Sequence, residues 1–194
     1  MTQIRLATKD DSNQILDIYA PFIINTAVSF ETEVPSEREM QNRITNCLQN
    51  YPWIVCVIDG RIAAYVYASR HREREAYQWC CESSVYVHDD FKGRGIGKKL
   101  YRLLFEVLKL QGFRNVYAGI ALPNDASVNL HTKCGFTQFA TYENIGYKLG
   151  SWHTVGWWKL QINSYDLNPP PPLKISESGA RLLANLFQMT ADAI

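Results

Sequence analysis

No stretch of this chain reaches the roughly 18 to 20 apolar residues that a membrane-spanning helix needs, and no basic segment followed by an apolar run opens it. The five cysteines, at 47, 56, 80, 81 and 134, form neither a C-x-x-C pair nor a metal spacing. Their odd number also argues against a complete disulfide framework. Reduced, mostly buried thiols and a cytoplasmic location are therefore expected, with no metal and no membrane partner. An excess of one charge is lacking too. Lys and Arg number 20 and Asp and Glu 19, and the net charge of +1 gives no electrostatic case for nucleic acid. Any anion binding must be local. With 194 residues, 46% of them hydrophobic, the chain suits one soluble domain with a sizeable core and at most an appendage.

Ile4 to Ala7 reads as a first strand, and Asp10 or Asp11 offers an N-cap to a helix carrying Ile15, Ile18, Tyr19 and Phe22, limited by Pro21. Ser36 with Glu39 suggests a capping box for a second helix, to about Leu48. Trp53–Ile58 and Ile62–Ala68 flank Asp59-Gly60, a strong hairpin signal. The polar run Ser69 to Glu75 reads as a solvated turn before strand composition from Tyr77 to Val87. The best helix runs from Gly93 to about Gln111, with Ile96, Leu100, Leu103, Leu104, Val107 and Leu108 on one face and Gly112 ending it. A strand (Val116–Leu122), a short helix (Asn124–Lys133) and two strands (Phe136–Tyr142, Thr154–Ile162) follow. The expected domain is 2–162. Beyond it Pro169 to Pro172 must be extended, and a tail with Leu182, Leu183, Leu186, Phe187 and Met189 has the spacing of an amphipathic helix. Whether 163–194 docks on the domain, docks on a second subunit or has no role stays open.

Chemistry centres on V-Y-V-H-D-D-F-K-G-R-G-I-G, Val85 to Gly97, a strand followed by a glycine-rich approach to a helix N-terminus. Unpaired backbone N–H groups and the helix dipole favour an anion there. The turn lacks the Walker A pattern, because Lys98 is followed by Lys99, and G-x-G-x-x-G is absent. Glycines alone serve structural turns equally well. Glu82 shares strand parity with Cys80, Ser84 and Tyr86 and not with the valines, so the strand has two occupied faces. Asn124 and Ser127 open the short helix as caps or as ligand contacts, and His131 lies four residues past Ser127 on the same face.

The order of strand, glycine turn, long helix, strand, then Asn124, Ser127, His131 and Gly135-Phe136 resembles the GNAT superfamily of acetyl-CoA-dependent N-acetyltransferases. Tyr51-Pro52-Trp53, Ala76-Tyr77, Glu82-Ser83-Ser84-Val85-Tyr86-Val87, Leu122-Pro123-Asn124-Asp125 and Gly150-Ser151-Trp152-His153 are similar to its phosphinothricin and methionine sulfoximine N-acetyltransferases. The resemblance implies a mixed α/β fold whose mainly antiparallel central sheet, flanked by helices, is splayed to admit acetyl-CoA. It implies acetyl transfer to the α-amine of a small amino-acid-like acceptor, and a homodimer. Lys92, Gly93, Arg94, Gly95, Ile96, Gly97 and Lys98 would hold the pyrophosphate, although Lys92 stands where the family usually has Gln or Arg. Val85, Tyr86 and Val87 would align the pantetheine and thioester, with Asn124 and Ser127 nearby. Glu82 would take the amine proton, with His131 as second base or as acid to the thiolate. Arg72 and Arg74 would pair the acceptor's carboxylate or phosphinate, and Phe30 and Tyr77 would wall its pocket. Glu31 stands where some members have a basic residue. A peptide or polyamine acetyltransferase, or a non-catalytic coenzyme A sensor, is the alternative.

Overall fold

The computed structural model describes residues 1–194. Its strands are β1 (Thr2–Leu6), β2 (Trp53–Ile58), β3 (Arg61–Arg70), β4 (Cys80–Val87), β5 (Asn115–Leu122), β6 (Thr137–Lys148) and β7 (Ser151–Gln161). Its helices are α1 (Ser12–Asn25), α2 (Glu37–Cys47), α3 (Ile96–Gln111), α4 (Asp125–Lys133) and α5 (Ala180–Asp192). The strands form one sheet in the order β1-β2-β3-β4-β5-β7-β6, antiparallel throughout except between β4 and β5. This is the mixed α/β, mainly antiparallel architecture that the resemblance implied.

Strand alternation sorts the core into two layers. Trp53 and Val55 of β2 pack with Ile15 and Ile18 of α1 and Met40 and Ile44 of α2. Ile54 and Cys56, pointing the other way, pack with Leu100, Leu104 and Leu108 of α3. The Asp59-Gly60 hairpin forms, with both residues at positive φ. Beyond Glu82↔Tyr117 the parallel pairing stops: β4 continues along β3 to Val87, while β5 continues along β7 to Leu122. The sheet therefore opens in a V whose apex is Glu82.

Several boundaries differ from expectation. Pro21 sits inside α1, which runs on to Asn25. The Asp11 carboxylate does not cap α1 but turns back to Arg5, at 2.6 and 2.7 Å, and to the Thr8 N–H. A short 3-10 turn (Glu75–Tyr77) precedes β4, so Tyr77 is not in the strand. Helix α3 begins at Ile96, because Gly93 and Gly95 hold φ of 78° and 76° and cannot be helical. Strands β6 and β7 form one long hairpin, with β6 running to Lys148 rather than ending at Tyr142 and β7 starting at Ser151 rather than Thr154.

The tail docks on its own chain. Asp166 pairs with Arg114 at 2.8 Å, Tyr165 O–H donates to Asn115 Oδ1, and Pro170 O accepts from the Trp79 indole. Leu173 exchanges backbone and side-chain hydrogen bonds with Gln111 at the end of α3. Ile175, Leu183 and Ala191 are then buried in the same core as α3, with α5 lying over β1 and α3.

Candidate active site

The open side of the V is lined by β4 backbone. His88 N–H donates to Ala63 O at 2.9 Å, so Val87 and Ala64 are a non-hydrogen-bonded pair, and alternation makes Val85 and Ser83 the same. Their N–H and C=O groups consequently face away from β3, into the gap that β5 has left. Tyr86 spends its backbone groups on Tyr65 in the ladder, and its ring packs among Tyr19, Phe22 and Tyr65.

A groove of about 590 Å³ runs from this strand to the N-terminus of α3 and across to α4. Every cofactor residue predicted from the sequence lines it except Arg94. That guanidinium donates to Asp90 O at 2.9 Å and lies over the Phe91 ring. The Lys92 ammonium pairs with Asp89. From Gly93 to Lys98 no backbone N–H is bonded within the protein, which leaves a run of donors at a positive helix end. Gly97 forms the floor, where a Cβ would sit 3.5 Å from Val87 and 3.6 Å from Leu130. Such a groove fits a pyrophosphate on the donors and a pantetheine arm along β4. Phe22, Phe91, Asn129, Leu130 and Lys133 also line it and were missed. The 126, 129, 130, 133 spacing on α4, one helical face, was the available signal for three of them.

Asn124 does cap α4, its Oδ1 accepting from Ser127 N–H at 3.1 Å, and it still borders the groove. A narrow slot of about 60 Å³ at the V connects Ser83, Ser84 and Val85 with Tyr101, Asn124, Ser127 and His131. His131 is buried, with Nδ1 2.7 Å from Ser127 O and Nε2 2.9 Å from the Tyr101 hydroxyl. A carbonyl only accepts, so Nδ1 carries the proton and Nε2 accepts from Tyr101. Burial lowers the His131 pKa against the opposing Ser127 bond, and the neutral ring is the favoured form. Its partner Tyr101 lies on α3 and carries no signal of its own in the sequence.

Glu82 lies on the opposite face from Cys81 and the α3 core, as its parity requires. His71, read as part of a solvated turn, places Nδ1 2.9 Å from Glu82 Oε1. Tyr77 stands edge-on to His71. Arg72 and Arg74 are exposed on the same loop and make no ion pair or side-chain hydrogen bond. Phe30 instead covers Gly146 of β6, where a Cβ would come within 2.2 Å of its ring, and neighbours His153. Trp152 is 63% exposed and not core. Glu31 is a loop clamp: it binds Arg43 at 2.7 Å and accepts from Tyr19 at 2.8 Å. Burial would raise its carboxyl, but Arg43 and Tyr19 more than reverse that.

All five cysteines are free, and burial pushes Cys47 up to about 12 and Cys56 up to about 11, far from thiolate nucleophiles at neutral pH. No group of three or more His, Cys, Asp or Glu is placed to hold a metal, and no helix is long and apolar enough to cross a membrane.

Residues 4–157 match the family model described as the acetyltransferase (GNAT) domain. The chain belongs to the GNAT acetyltransferase family. It is 38% identical over 169 residues to the phosphinothricin N-acetyltransferase of Streptomyces viridochromogenes, covering 87% of this chain and 91% of that one. It is 30% identical to the L-methionine sulfoximine/L-methionine sulfone acetyltransferase of Salmonella typhimurium, covering 84% of this chain and 95% of that one. The Sinorhizobium meliloti phosphinothricin acetyltransferase, solved in complex with acetyl-CoA, superposes with a TM-score of 0.82 at 29% identity, over 90% of this chain and 98% of that one. This GNAT chain is thus an acetyl-CoA-dependent N-acetyltransferase, with acetyl-CoA as co-substrate.

Proposed function

We propose that this enzyme transfers the acetyl group to the α-amine of a small amino-acid-like acceptor of the methionine sulfoximine, methionine sulfone or phosphinothricin type. One observation carries the reading: the Glu82 carboxylate stands at the apex of the V, one residue before the free β4 backbone where the thioester would lie. An α-ammonium has a pKa of about 8 and must lose a proton before it can attack. Glu82 accepts that proton, directly or through water. The nitrogen then bonds to the carbonyl carbon, the C–S bond breaks, and coenzyme A leaves. The Val85 N–H, turned into the gap, steadies the charge that develops on the carbonyl oxygen. Tyr101 and His131 line one side of the slot and are hydrogen-bonded to each other, so coenzyme A leaves as the thiolate and takes up its proton from solvent.

Arg72 and Arg74, free of partners, serve the acceptor's carboxylate or phosphinate, with Tyr77 beside them. Phe30 reaches the acceptor only from its place over β6. Residues 2–162 form the catalytic unit, with 163–194 as a clamp across its base. The reading involves no metal, nucleic acid or membrane, assigns the protein to the cytoplasm, and includes a homodimer joined through the β6–β7 face.

The test follows thiol release from acetyl-CoA across free amino-acid analogues, polyamines and peptides. Turnover is expected with the amino-acid analogues. Turnover confined to polyamines or peptides overturns the acceptor class, and acetyl-CoA binding with no turnover on any amine overturns the mechanism.

A further inference from the structure

The Glu82 side chain stands at the apex of the V and is about one-third exposed, so packing alone does not enclose it. A base must be within hydrogen-bond reach of the proton that it takes, in a fixed direction. What restrains this carboxylate is His71, at the end of β3, whose Nδ1 is 2.9 Å from Oε1. Two acceptors do not approach to that distance without a proton between them, so Nδ1 is the donor. The His71 ring is itself fixed. It stacks on Tyr117 with centroids 4.4 Å apart and planes 17° apart, and Tyr77 and Trp157 meet its edges. Tyr117 is the β5 residue directly paired with Glu82, so base and platform share one register position, and His71, one residue past the Arg70↔Cys81 end of the β3 ladder, reaches both diagonally. His71 Nε2 has no partner in the protein.

We infer that His71 is a positioning residue for the acetyl transfer: its Nδ1–H holds Glu82 Oε1 so that Oε2 is left facing the acceptor amine. This rests on the reading of Glu82 as the proton acceptor. Because the hydrogen bond goes to one oxygen only, the carboxylate keeps its second oxygen for the ammonium. The neighbouring charges do not compete for that place: Arg70 is paired with Glu73 at 3.1 Å, and Lys159 with the Tyr165 hydroxyl.

The experiment compares His71→Phe, which keeps a ring for Tyr117 but has no donor, with His71→Asn, whose amide restores a donor near the Nδ1 position. In His71→Phe, kcat/KM for the amine acceptor should fall about tenfold or more while KM for acetyl-CoA stays within about twofold. His71→Asn should recover most of that loss. Glu82→Gln should be impaired, and adding His71→Phe to it should lower activity little further, because the two residues act as one unit. An unimpaired Glu82→Gln overturns the reading of Glu82. An impaired Glu82→Gln with full activity in His71→Phe overturns the role of His71 alone. Equal losses in the Phe and Asn variants, or a matching loss of acetyl-CoA affinity, show a packing role and also overturn it.

Discussion

His131 accepts the Tyr101 hydroxyl at Nε2, 2.9 Å away, while its Nδ1–H is held by the Ser127 carbonyl. Both nitrogens are engaged in the neutral ring, so His131 can take a proton only by losing the Tyr101 bond. Burial lowers its pKa in the folded state, and the unfolded chain has a histidine of about 6.5. Above about 6.5 both states are neutral and full stability is present. As pH falls below that, the unfolded chain binds the proton first, and stability is lost by at most about 1.4 kcal/mol per pH unit until the folded pKa is passed. Thermal melts at pH 7 and pH 5.5 should therefore differ more in the wild type than in His131→Gln. Parallel losses would remove His131 as a source of the acid sensitivity.

The glycine turn separates two effects that a sequence motif merges. Gly95 has φ of 76° with nothing near its Cβ position, so Gly95→Ala should cost about 1–2 kcal/mol from backbone strain alone. Gly97 has ordinary helical backbone, so Gly97→Ala should hold or slightly raise Tm. Its methyl would nonetheless stand on the groove floor between Val87 and Leu130. We expect KM for acetyl-CoA to rise several-fold in Gly97→Ala while KM for the acceptor is unchanged. Measuring both constants and the melt for the two variants checks this; an unchanged acetyl-CoA KM would move the pantetheine off that floor.

The cofactor side was largely legible in the sequence because it is local: glycines, a helix start and a short helix sit within a few residues of one another. Val85 and Val87 came from the family resemblance, and it is the register with β3 that turns their backbone groups into the gap. The acceptor side was not legible in the same way. His71 meets Glu82 across an antiparallel register, and Tyr101 meets His131 between two helices, so neither pairing has a sequence signature. A histidine inside S-R-H-R-E-R-E reads as solvent-facing until β5 brings Tyr117 beneath it. Asp11 shows the converse limit, for its cap position was right and its carboxylate was claimed by Arg5.

The tail carries a stability prediction. Leu183 is buried against the α3 core, and replacing it with Ala should cost about 2–5 kcal/mol, a Tm lower by roughly 4–20 °C. No residue beyond Lys133 lines the acetyl-CoA groove, so affinity for acetyl-CoA at 20 °C should be retained. Calorimetric melts and binding titration of Leu183→Ala read both. A melt equal to wild type would mean that α5 lies elsewhere in solution.

Strand β6 is the long outer edge of the sheet, twelve residues with one side unpaired. Exposed edges of that length invite pairing with another chain unless blunted. Two register shifts, at Gln138/Ala140 and Tyr142/Gly146, interrupt the edge, yet Phe139, Tyr142, Ile145 and Tyr147 on β6 and Trp152 on β7 are all exposed, and Tyr147 and Trp152 meet edge to face at 5.4 Å. Apolar surface so concentrated marks a protein interface more often than free solvent-facing surface. A second copy of the chain is the partner that the proposed homodimer supplies. Sedimentation equilibrium at micromolar concentration should give twice the chain mass for the wild type. Replacing Tyr147 and Trp152 with Ser together should shift that equilibrium to monomer, because large buried aromatics dominate interface energetics. A wild-type mass equal to one chain, or a double variant that remains a dimer, would take the interface off this face.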